Sequence, residues 1–106
     1  MELDFKEYEK LERMLTEAHI PHKTRKLWEG KQIGYPDFPE TEDCICSAYI
    51  HEFSWGNEKG LLEAYGLTDV PNIDLECEGY LTAEEIFNRI EKDYNERGEE
   101  KDVKES

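Results

Sequence analysis

Three cysteines and three histidines are the side chains in this 106-residue chain best suited to metal ligation or nucleophilic attack, and their spacing speaks against both. Cys44 and Cys46 sit two apart on what reads as a strand, so their Cα atoms lie roughly 7 Å apart at about 3.3 Å per residue. Zinc ribbons place two residues between paired cysteines in a tight turn. The pair therefore reads as small core residues. Cys77 stands between Glu76 and Glu78, whose charge disfavours the reactive thiolate. His19 and His22 flank Ile20-Pro21 with no second pair to complete a metal set, and at a helix C-terminus they read as capping residues. His51-Glu52-Phe53-Ser54-Trp55 opens like a zinc-protease motif but has Trp55 where the second histidine must stand. Asp74, Glu76 and Glu78 do not match the calcium-loop spacing. No phosphate-cradling glycine loop, nucleophile elbow or dinucleotide fingerprint is present. The expectation is a non-enzyme without metal or cofactor, its three cysteines reduced, since an odd count gives no disulfide framework. A small metal-dependent or Cys/His enzyme built on His51 is the alternative.

Charge is the larger signal. Twenty-seven acids face thirteen bases, a net charge of -14, and the excess is concentrated. Residues 1–36 balance, residues 37–86 carry thirteen acids against Lys59 alone, and residues 87–106 are nearly balanced. A surface built only for solubility mixes its signs, so this asymmetry suggests one acidic face. Such a chain repels phosphate backbones and anionic lipid, which argues against direct nucleic-acid or membrane binding. No apolar run approaches the roughly 20 residues that span a bilayer. The N-terminus, Met1 to Glu7, lacks the apolar core of a signal peptide, so the chain reads as soluble and intracellular.

The elements that must position these residues follow from periodicity. Tyr8, Leu11, Leu15 and Ala18 recur at helical spacing behind Asp4 and Glu7, a capping-box pair, and Ile20-Pro21 ends the helix. His22–Trp28 reads as a basic edge strand, Glu29-Gly30 as a turn and Gln32–Tyr35 as a second strand. Cys44–Glu52 reads as a third, with Cys44, Cys46, Ala48 and Ile50 on one face and Ile45, Ser47, Tyr49 and His51 on the other. Leu61, Leu62, Ala64 and Tyr65, ahead of Gly66, predict a short second helix; Thr68 to Glu78 reads as an acidic loop. A third helix starts at Thr82 with Glu85, Leu81 stapling to Ile86, and buries Ile86, Phe87, Ile90 and Tyr94. The fold class expected is α+β: one small domain over residues 1–97 with an N-terminal helix, a three-stranded antiparallel sheet and two C-terminal helices. Residues 98–106 read as a frayed charged tail.

Several blocks, in the same order, carry a resemblance: Gly34-Tyr35-Pro36, Cys46 to His51 followed by Ser54-Trp55-Gly56-Asn57-Glu58, Leu61-Leu62-Glu63, and Gly79 to Phe87. Over roughly residues 7–94 the chain resembles a family of small acidic proteins encoded in phages and prophages of Firmicutes. The resemblance implies a phage or mobile-element origin and action in the cytoplasm of a bacterial host, and it carries over no catalytic or binding residue. Together with the charge it suggests a protein that binds a host protein with a basic surface. The foremost candidate is a host-defence nuclease, such as an RNA-guided (CRISPR) nuclease, whose channel a DNA mimic would occupy. Asp69, Asp74, Glu76 and Glu78 are the expected charged contacts, with Tyr49 and Trp55, aided by Phe53, as apolar anchors. A phage replication or regulatory accessory protein is the alternative within the binding class. An exposed sheet face also admits a homodimer.

Overall fold

Apolar periodicity and turn residues resolve, in a computed structural model, into α1 (Lys6–Glu17), β1 (Lys23–Leu27), β2 (Gly30–Tyr35), β3 (Cys46–Ile50), β4 (Leu62–Tyr65), β5 (Cys77–Leu81) and α2 (Ala83–Glu105), with one 3-10 turn at Asn57–Lys59. The structure describes residues 2–67 and 77–105, with side chains described as far as residue 98. The strands form one five-stranded antiparallel sheet in chain order, an up-and-down meander.

Tyr8, Leu11 and Leu15 of α1 and Ala83, Ile86 and Ile90 of α2 bury against one face of the sheet, where Ile33, Ala48 and Ala64 lie side by side in register. Leu81, Ile86 and Ile90 are buried as the stripe predicts, whereas Phe87 is only partly buried and Tyr94 is 38% exposed. α1 closes with His19 in the left-handed region, φ 57°, and the Ile20 N–H on the Leu15 carbonyl at 3.0 Å, a Schellman ending ahead of Pro21. Thr82 caps α2, accepting the Glu85 N–H at 3.2 Å. The Asp4 carboxylate accepts the Lys6 N–H at 2.9 Å, but Glu7 does not close a capping box on α1. It reaches across and accepts the Ala83 N–H at 2.9 Å, capping α2 instead.

The fold differs from expectation in its strand count. The sheet has five strands rather than three, and one helix rather than two follows it. Leu61 to Tyr65 is not helical. Gly56 and Gly60 take left-handed backbone, φ 99° and 70°, which stops a helix on either side of the 3-10 turn. Leu62 and Ala64 then alternate inward with Glu63 and Tyr65, and the segment pairs with β3 through Ala48↔Ala64 and Tyr49↔Glu63. β5, which begins in the stretch read as an acidic loop, pairs with β4. A short apolar run fits a helix or a strand equally well, and here the unpaired edge of β3 selects the strand.

The second face of the sheet carries no helix among the described residues. Arg25, Gln32, Tyr49 and Glu63 form one row across β1 to β4. Gln32 accepts from Arg25 Nε at 2.7 Å and donates to Ser47 Oγ at 2.7 Å. No helix among the described residues is long and apolar enough to cross a membrane.

Candidate interaction surface

The β1–β2 connection has two residues, Trp28 and Glu29. Tight hairpins of this length favour φ > 0 at the first position, usually glycine. Trp28 occupies it with φ 53° and remains 63% exposed. Its indole meets the His51 ring edge-on at 4.7 Å and the Phe53 ring at 5.8 Å, and Phe53 is 75% exposed.

The turn holding Phe53 is fixed from several sides. His51 N–H donates to Ser54 Oγ at 3.0 Å, the Ser54 hydroxyl donates back to the His51 carbonyl at 3.0 Å, and Asn57 Nδ2 donates to the His51 and Glu52 carbonyls at 3.0 and 2.8 Å. Glu52 Oε2 accepts the Glu29 N–H at 3.1 Å and ties this turn to the first. Trp55 follows, 51% exposed, its N–H on Glu63 Oε1 at 2.7 Å. It lies directly over Gly79, where a Cβ would stand 2.3 Å from the Trp55 Cβ, so only glycine admits it. Tyr80, beside Gly79, also has left-handed backbone, φ 58°, and is 53% exposed. Its N–H donates to the Trp55 carbonyl at 3.2 Å and its hydroxyl to Glu58 at 2.8 Å. Four large aromatics thus stand out from one end of the sheet, Trp28, Phe53 and Trp55 from connections and Tyr80 from the end of β5, interleaved with Glu29, Glu52 and Glu58.

Behind them the Tyr49 ring stacks on His51 at 5.3 Å, and its hydroxyl donates to Glu63 and lies 3.5 Å from Cys77 Sγ. Burial, then the hydrogen bonds to Cys77 and Glu63, push the Tyr49 phenol well above its ordinary range. His51 Nδ1 accepts the Phe53 N–H at 3.0 Å, which leaves the neutral ring's proton on Nε2. Burial lowers the His51 pKa from its ordinary 6.5, against the pull of Glu63 and Glu52. Above the unfolded value the ring is neutral in both states. As pH falls below it the unfolded chain takes the proton first, so stability drops until the folded value is passed. Wild type should therefore lose more melting temperature between about pH 7 and pH 5 than His51→Asn, which keeps the acceptor. Parallel slopes would show that His51 is not the titrating group.

Three of the six expected contact residues are described, and they do not share one face. Tyr49 and Trp55 belong to the helix-free face, whereas Glu78 turns the other way, forked by Arg89 of α2 at 3.1 and 3.2 Å. Asp69, Asp74 and Glu76 lie outside the described residues. The sequence singles out neither Trp28 nor Tyr80: Gly30 marks the turn one residue late, and Tyr80 stands between the expected acidic loop and the expected helix. Of the two cysteines that could pair with His51, Cys46 points into the core, away from it, whereas Cys77 lies on the His51 side with the Tyr49 ring between them. Burial pushes the Cys46 thiol up to about 12 and raises Cys44. Among the described residues, no three His, Cys, Asp or Glu side chains gather to hold a metal. Compared with known proteins, the chain matches no family model, no curated protein and no solved structure.

Proposed function

We propose that this protein is a binding module whose working surface is the aromatic end of its sheet, and that it covers a basic surface on another protein. The observation that carries the reading is Trp28 and Tyr80: each is more than half exposed in a left-handed backbone that glycine would adopt without strain. Neither burial nor backbone preference explains an aromatic there, and such strain concentrates at functional positions. Exposed Trp and Tyr anchors held on a fixed backbone are the groups that dominate interface energetics. The net charge of -14 selects a cationic counterpart and steers encounter with it.

Nucleic-acid channels of host-defence nucleases, RNA-guided enzymes among them, present such a basic surface, and the bacterial cytoplasm is the proposed place of action. The test is a panel of purified restriction and RNA-guided nucleases assayed for DNA cleavage with added protein. The expected result is stoichiometric inhibition of one class, with association slowing steeply as salt shortens the Debye length from about 30 Å to 8 Å. Inhibition should also weaken when Asp69, Asp74 and Glu76 are reversed to Lys. A panel indifferent to the protein at low salt would overturn the nuclease reading.

A further inference from the structure

The protein builds a cationic site for one of its own side chains. The Arg25 guanidinium lies 4.1 Å from the centroid of the Phe38 ring, while its two terminal nitrogens fork Glu40 at 2.8 and 2.7 Å. A planar guanidinium takes an aromatic face against its plane and a carboxylate against its edge at once, which an ammonium cannot do.

The aromatic end holds the same partners in open form. The Trp28 and Phe53 rings stand 80° apart in plane with centroids at 5.8 Å, both mostly exposed. Glu52 adjoins Phe53 in the chain and is tied to the Trp28–Glu29 turn through Oε2. Among the described residues no hydrogen bond reaches its Oε1. The Glu29 side chain, on the same turn, is exposed. Resting on the reading of this end as the partner surface, we propose that Trp28, Phe53 and Glu52 receive an arginine side chain of the partner protein, its plane against the face of one of the two perpendicular rings and its edge against Glu52. An aliphatic anchor would leave Glu52 desolvated without a partner. A lysine would gain the charge but not the stacking.

The labelled full chain, titrated with acetyl-Gly-Arg-Gly-amide and followed by NMR, tests this, with the lysine and citrulline peptides as controls. The Trp28 indole and Phe53 ring signals should move, and the arginine peptide should half-saturate at about five-fold lower concentration than the lysine peptide. Citrulline, which keeps the shape without the charge, should bind weakest. Glu52→Gln should erase the preference for arginine over citrulline. Equal response to arginine and lysine, or shifts that leave Trp28 and Phe53 unmoved, would overturn the proposal. The two readings fail separately. Trp28→Ala and Phe53→Ala that abolish nuclease inhibition without any arginine preference sink the guanidinium site alone. Arginine preference at Trp28 with nuclease inhibition untouched by both variants supports the guanidinium site and sinks this end as the nuclease contact.

Discussion

Trp28→Gly should lower the melting temperature by no more than about 10 °C while weakening partner binding by about thirty-fold or more, the loss of a hot-spot anchor worth at least ~2 kcal/mol. The stability half follows from opposing effects. Glycine relieves a left-handed strain of roughly 1–2 kcal/mol. The substitution forfeits the edge contacts with His51 and Phe53, each about 0.5–1.5 kcal/mol, and loosens the unfolded chain by roughly 0.5–1 kcal/mol. The balance is a net loss of about 1 kcal/mol, whereas truncating a core tryptophan costs about 3–5 kcal/mol. Thermal melts and titration against the inhibited nuclease read the two halves independently. A variant that melts far below wild type would make Trp28 a structural residue, and unchanged affinity would remove it from the interface.

Leu62→Ala should cost about 2–5 kcal/mol, because Leu62 is fully buried and its removal leaves a cavity in the core. For a chain of this size that is a fall in melting temperature on the order of 10–30 °C. Leu61→Ala should cost less than half as much, since Leu61 is only partly buried. The contrast tests the strand directly. In a helix the two leucines would sit 100° apart on one apolar stripe and cost alike; in an extended chain running into β4 they point to opposite sides. Equal losses in thermal melts would return the segment to a helix.

What was legible in the sequence was whatever a single element fixes by itself. The α1 stripe, the alternation of β3 and the Thr82 cap all depend on neighbours within a few residues, and each stands where periodicity places it. β4 and β5 depend on long-range pairing. Leu61-Leu62-Glu63-Ala64-Tyr65 has one apolar residue too many for clean alternation, and Cys77 to Leu81 contains Glu78 and Gly79, poor strand formers made acceptable by Arg89 and by Trp55 overhead. The aromatic end was half legible. Trp55 and Phe53 stood out by type, but Trp28 looked like a strand residue because Gly30 marks a turn by habit. In the structure Gly30 begins β2, and a Cβ there would stand 1.8 Å from the Ile50 carbonyl oxygen. Glu78 was legible as an acid and illegible as a partner of α2, since nothing in its sequence neighbourhood names Arg89.

The bond from Glu7 to the first amide of α2 also bears on how the chain folds in time. Each hairpin of the meander closes a short loop, so β1 to β4 can assemble by successive local steps. The Glu7–Ala83 contact instead bridges 76 positions and has to wait for the loop between them to close, an entropic toll that grows with the logarithm of that span. It is therefore expected on the late, native side of the barrier. Interactions absent from the transition state hold unfolding back without speeding folding. The first helix, by stopping the second from fraying at its start, acts as a latch on the finished molecule: its contribution is felt in how long the native state lasts rather than in how quickly it is reached.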